Sequence, residues 1–135
     1  MALLDTNVLL DIVTRDAQWA AWSLNAMEWA ATEGPLFVNA VIYAELSIRY
    51  ESLGAVDALI ESVGAEFADV PKSAAFLAAE AFAQYRAVGG AKTGVLPDFF
   101  IGAHAQALDI PILTRDVRRY RTYFPSVRLI APQMN

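Results

Sequence analysis

The chain has 135 residues and a mass of 14.7 kDa, enough for one ordinary domain over residues 1–135 and too little for two separate cores. Apolar residues make up 56% and charged residues 19%, which excludes a disordered chain, while the longest charge-free stretches, 17–27 and 34–44, are about half of the ~20 apolar residues that a membrane span needs. The absence of Cys and the single His exclude disulfides and thiolate zinc sites and leave little for a His-rich centre, and a net charge of −5 argues against a generally basic surface that grips nucleic acid.

The opening residues lack a basic segment, and Asp5 and Asp11 interrupt their leucines, so a cytoplasmic protein is expected rather than one led by a signal peptide. Leu3 and Leu4 read as a buried strand that ends at Asp5, followed by a helix over 7–13 capped by Thr6 or Asn7. A second helix is predicted over 16–32 and stopped by Gly34 and Pro35. Leu36 to Val38 is a second strand, and Asn39 caps a helix over 40–51. Another helix covers 54–63, a short third strand 66–70, and a long helix 71–88, with Phe76 and Phe82 packing it. A loop over 89–96 leads to a helix over 97–108, a strand over 111–114, a helix over 116–123 and a last strand over 127–130. Short, continuously apolar strands separated by helices indicate a three-layer α/β fold, with a mostly parallel central sheet of four to five strands. In such sheets ligands bind beyond the carboxyl ends of the strands, where Asp5 and Asp116 fall.

Four acids lie in apolar surroundings: Asp5 between Leu4 and Val8, Glu45 after Val41-Ile42-Tyr43-Ala44, Asp98 between Pro97 and Phe99, and Asp116 after Ile112-Leu113-Thr114-Arg115. Each has an ordinary explanation. Asp5 and Asp116 could be helix caps, Asp98 a first-turn acid favoured by the helix dipole, and Glu45 the partner of Arg49 four residues on. Together they suggest something else, because an unpartnered buried carboxylate costs several kcal/mol and one convergent cation would serve all four. An all-oxygen site selects a hard ion, Mg²⁺ or Mn²⁺, and such an ion serves hydrolysis or transfer at phosphate. No glycine-rich phosphate loop accompanies the acids.

The segments Leu4-Asp5-Thr6-Asn7-Val8-Leu9, Val41-Ile42-Tyr43-Ala44-Glu45-Leu46, Leu96-Pro97-Asp98-Phe99-Phe100-Ile101-Gly102-Ala103 and Ile112-Leu113-Thr114-Arg115-Asp116 occur in that order. With these motifs the chain resembles PIN-domain ribonucleases, and among them the VapC-type toxins of toxin–antitoxin pairs. The resemblance implies a metal-dependent endoribonuclease using Mg²⁺ or Mn²⁺. Asp5, Glu45, Asp98 and Asp116 match the family's acidic quartet, with Asp5, Asp98 and Asp116 as metal ligands and Glu45 acting through water. Asn7 and Thr114 match polar positions that support them. The resemblance also implies an RNA substrate, a cognate antitoxin and a homodimer.

Beyond the acids, Arg86 and Lys92 are candidates for contacts with RNA phosphates, and the arginine cluster over 115–121 is a candidate guide for the RNA backbone, Arg115 being placed nearest the acids. Trp19, Trp22 and Trp29 form one apolar stripe, and His104 reads as a packing residue. Two alternatives fit parts of the pattern. One is a non-catalytic RNA- or protein-binding module with a structural metal. The other is a phosphoaspartate α/β protein, which would need a Lys at the carboxyl edge of the sheet, whereas Lys72 and Lys92 follow no predicted strand.

Overall fold

The computed structural model describes residues 1–92 and 95–133. Strand β1 (Ala2–Leu4) is three apolar residues, all buried, because it lies at the centre of the sheet. It is followed by α1 (Thr6–Val13), α2 (Ala20–Glu33), β2 (Leu36–Val38), α3 (Ala40–Ser47), α4 (Leu53–Ser62) and β3 (Ala65–Phe67). Then come α5 (Lys72–Ala87), α6 (Leu96–Leu108), β4 (Ile112–Leu113), α7 (Arg118–Tyr123) and β5 (Leu129–Ile130). All four strand pairings are parallel, in the order β3-β2-β1-β4-β5. This is the three-layer α/β fold expected, with five strands flanked by helices. Burial falls from the central strands to the edges, where β5 is half-buried and Glu66 and Phe67 of β3 are exposed.

The chain runs outward from β1 through β2 to β3, then crosses back to β4 on the other side of β1. The connections therefore diverge at the carboxyl edge between β1 and β4, the place where α/β sheets form ligand crevices. Asp5 and Thr114 are the residues just beyond those two strands, whose ends are tied together where the Asp5 amide donates to the Leu113 carbonyl at 2.9 Å.

Several element boundaries differ from the sequence expectation for local reasons. Residues 16–19 form a turn rather than helix, with Asp16 Oδ1 accepting from the amides of Gln18 and Trp19 at 2.9 and 2.8 Å. Helix α7 starts at Arg118 instead of 116, because the Asp116 amide donates to Thr114 Oγ1 at 3.1 Å and is held in a tight turn. Helix α3 stops at Ser47, and β3 is shorter and begins one residue earlier than expected. Positions 93 and 94 of the expected 89–96 loop lie outside the described residues, as do 134 and 135. Among the described residues no helix is long and apolar enough to cross a membrane.

Helix α5 faces α6 with Ala74, Ala78 and Ala81, small residues at helical spacing that are all buried. Phe82 packs as expected, edge-on to Phe99 at 5.8 Å between ring centres. Phe76 does not: it is 68% exposed. Gly102 of α6 lies under the Phe124 ring, where an added Cβ would come within 2.3 Å of Cδ2 and 2.9 Å of Cγ. Gly102→Ala should therefore cost about 1–3 kcal/mol, because the ring is enclosed and must be displaced whole. Urea unfolding would measure this, and a neutral result would mean that α6 and α7 separate freely.

Candidate active site

Asp5 stands where a residue would cap α1, yet its side chain makes no capping bond. Its Oδ2 instead accepts from Thr114 Oγ1 and the Tyr120 hydroxyl, both at 2.8 Å, and from Asn7 Nδ2 at 3.3 Å. All three side-chain donors converge on one oxygen, so the carboxylate is fixed in orientation. Asn7 is held in turn, donating to Thr114 Oγ1 at 3.2 Å and accepting from the Arg115 amide at 3.4 Å. The supporting positions expected at Asn7 and Thr114 thus touch Asp5 directly.

Glu45 lies on α3 and accepts from Thr6 Oγ1 at 2.7 Å; among the described residues it has no ion pair with Arg49. Helix α3 is capped by Asn39, whose Oδ1 accepts from the Ile42 amide at 3.0 Å. That bond fixes the amide orientation, so Asn39 Nδ2 must donate to His104 Nδ1, 3.1 Å away. His104 is therefore the neutral tautomer protonated on Nε2, an atom buried with no partner among the described residues. Burial lowers its pKa further. It braces α6 against the cap of α3, the helix that carries Glu45.

Asp98 sits in the first turn of α6, half-buried, in an ion pair with Arg119 of α7. Asp116 is exposed beyond β4. Electrostatics place these acids in one neighbourhood. Burial pushes Asp5 from 3.8 up to about 6, against the pull of its Thr114 and Tyr120 bonds, and the charge of Asp98 adds to the rise. Glu45 is raised by burial and again by Asp98, although Thr6 opposes the shift. Asp98 is raised by burial and by Asp116, with Arg119 opposing. Tyr120 is held well above its ordinary value by burial and by the charges of Asp5, Asp98 and Glu45, so its phenol stays protonated as a donor.

Two of these side chains, Thr6 and Tyr120, are absent from the site expected from sequence, and Arg119 enters it only as a member of the arginine cluster over 115–121. Thr6 adjoins Asp5, but nothing local marks it as a partner for Glu45, 39 residues away. Asp11, which is not among the four acids singled out although Leu10 and Ile12 flank it, is more deeply buried than any of them. It accepts from Arg115 Nε at 2.7 Å and Nη2 at 3.0 Å, and from Ser23 Oγ at 2.8 Å. The Arg115 guanidinium also lies over the Trp19 ring, 5.5 Å from its centre. It is thus committed to Asp11, and among the described residues the arginine ion-paired with one of the four acids is Arg119, on Asp98. Arg86 is exposed in the last turn of α5. Lys92 lines a cleft of about 310 Å³ together with Asp116, Arg118 and Arg119.

The expectation of one cation serving four acids changes in detail. Neutral hydroxyls and an amide satisfy Asp5 and Glu45, and Arg119 serves Asp98. Among the described residues no three acids stand close enough to make a closed cage for an ion. Their donor chemistry still fits Mg²⁺ or Mn²⁺: hard carboxylate oxygens oriented by hydroxyls, in an open arrangement suited to an ion that takes one or two carboxylates and fills its remaining positions with water and phosphate.

Residues 2–125 match the PIN domain family. No curated protein matches the sequence. Among solved structures, the chain is similar to one from VapBC2 of Rickettsia felis bound to a DNA fragment from their promoter, with 16% identity over 98% of each chain and a TM-score of 0.73. It is similar to one from DNA-bound VapBC of Salmonella typhimurium, with 18% identity, 97% of this chain and 98% of that chain covered, and a TM-score of 0.68. A chain of a toxin–antitoxin complex from Klebsiella pneumoniae has 20% identity, coverage of 94% and 95%, and a TM-score of 0.62.

Proposed function

The chain belongs to the PIN domain family, and from that premise we propose that it is a metal-dependent endoribonuclease, the toxin of a toxin–antitoxin pair. The observation that carries this reading is Asp5, buried at the point where the strand connections diverge, anchored by three donors on one oxygen, and within the field of further acids. Asp5 and Asp98 would hold Mg²⁺ or Mn²⁺ directly, and Asp116 through water. Such an ion supplies neutralisation of the charge that builds on phosphodiester oxygens in the transition state.

The chain's own residues do the rest. Thr114, Tyr120 and Asn7 fix Asp5, which removes the cost of reorienting it during reaction. Glu45, raised above its ordinary value by burial and held by Thr6, accepts a proton from the attacking water. Water adds to phosphorus, one P–O bond breaks, and a proton ends on the departing sugar oxygen. Lys92 and Arg118 line the cleft beside Asp116, where they contact the phosphates that position RNA; exposed Arg86 extends that contact along α5. The likeness to chains of VapBC and toxin–antitoxin complexes supports a cognate antitoxin as partner. A homodimer and a cytoplasmic location belong to the same reading.

Cleavage of end-labelled total tRNA and an rRNA fragment by purified protein, with Mg²⁺, Mn²⁺ or EDTA, tests the proposal. Discrete cuts that require the metal and fall at least about a hundredfold in Asp5→Asn are expected. A protein that gains stability from metal but turns over no RNA would favour the alternative of a binding module.

A further inference from the structure

The two ion pairs among the described residues are built differently. Arg115 and Asp11 form a closed pair: two nitrogens meet two oxygens, Ser23 adds a third bond, and Trp19 lies against the guanidinium. Arg119 meets Asp98 through a single nitrogen and a single oxygen. Both of its side chains are partly open to solvent, at 28% and 33%. Arg119 also forms part of the wall of the cleft that holds Lys92, Arg118 and Asp116. The next residue, Tyr120, anchors α7 by its bond to Asp5, so the arginine is mounted on a fixed base with a free arm.

We propose that Arg119 has two seats: it neutralises Asp98 while no divalent ion is present, and it turns into the adjoining cleft to hold an RNA phosphate once an ion takes Asp98. The inference rests on the metal-dependent ribonuclease reading above. A one-point, half-solvated ion pair is weak, and a divalent cation competes for the same oxygen with twice the charge. Displacement frees a planar guanidinium beside Lys92 and Arg118, and those three cations together suit a phosphodiester, which a guanidinium engages through two parallel bonds. Metal and RNA backbone then assist each other through one side chain, and the coupling is reciprocal.

The test separates the two seats without measuring turnover. Free Mn²⁺ is followed by electron paramagnetic resonance during titration of wild type, Arg119→Ala and Arg119→Lys, with circular dichroism as the check of folding. The alanine variant should bind Mn²⁺ about two- to fivefold more tightly, and the lysine variant, which keeps the competing charge, should stay close to wild type. Filter binding of a single-stranded RNA with nuclease-resistant phosphorothioate linkages is then measured at rising KCl. In Mn²⁺ the wild-type dependence of log affinity on log salt should be steeper than that of Arg119→Ala by about 0.7, one phosphate contact on a single strand; in EDTA the two slopes should coincide. Unchanged or weaker Mn²⁺ binding in Arg119→Ala overturns the first seat, and a slope difference that is the same in EDTA overturns the second. Absence of Mn²⁺ binding in wild type would instead remove the metal-dependent reading beneath both.

Discussion

Asp5→Asn should make the metal-free protein more stable at pH 7, by about 1–3 kcal/mol, in the same stroke that removes its activity. Asp5 is buried, and its carboxyl is raised from 3.8 to about 6, so ionising it within the fold costs up to about 3 kcal/mol at roughly 1.4 kcal/mol per pH unit. The sign follows from linkage. The folded state binds this proton more tightly than the unfolded state, so the favourable contribution is complete below the unfolded value of 3.8 and is lost as pH rises through about 6. Asparagine has no charge to desolvate and escapes that loss. It gives back part of the gain, because Thr114 and Tyr120 donate less strongly to an amide than to a carboxylate.

Urea unfolding in EDTA from pH 4 to 7.5 is the measurement. The gap between wild type and Asp5→Asn should open as pH rises and close near pH 4, whereas a gap independent of pH would show that the charge of Asp5 carries no such cost. Glu45 and Asp98 are also raised, but they titrate in both proteins and largely cancel. On the metal-dependent reading, Mn²⁺ at a hundred times its Kd should close most or all of the gap, since it stabilises the binding-competent protein by about 2.7 kcal/mol. Stability given up at a charged site in exchange for activity is a common trade in enzymes.

What the sequence made legible follows from what is local. Asp5 stood out because an acid between Leu4 and Val8 has no place in an apolar run, and the switch point that gives it meaning follows from parallel strands and their connections. Asn39 was readable as a cap because its bond reaches only to Ile42. Tyr120 was not readable: its hydroxyl meets Asp5 across 115 residues, and as one of five tyrosines it carries no local mark. Arg119 belonged to a visible run of arginines, but which member faces the acids depends on the start of α7. The Thr114 bond to the Asp116 amide moves that start to Arg118, a side-chain bond that hydrophobic periodicity does not register. Phe76 shows the converse limit, because a long helix packs only one face and composition does not say which.

Phe99→Ala should be the most damaging substitution in the core, with an expected cost of about 3–5 kcal/mol. Phe99 is fully buried and touches aromatic rings from two other helices and the residue after α7: Phe82 at 5.8 Å, Tyr85 at 5.7 Å, Tyr123 at 5.1 Å and Phe124 at 6.2 Å between ring centres. Removing it leaves a cavity that cannot collapse easily, because its walls belong to separate elements. The consequence extends to the site. Asp98 precedes Phe99 on α6, and Tyr123 and Phe124 hold α7, which carries Tyr120 onto Asp5 and Arg119 onto Asp98. On the proposed ribonuclease reading, the variant should therefore cleave RNA more slowly than its folded fraction explains, even well below its unfolding temperature. Phe76→Ala, on the exposed side of α5, should change stability by no more than about 0.5 kcal/mol and leave the rate unchanged. Urea denaturation and cleavage rates on the same three proteins decide the matter: equal rates per folded molecule would mean that the aromatic cluster supports the fold without aligning the acids.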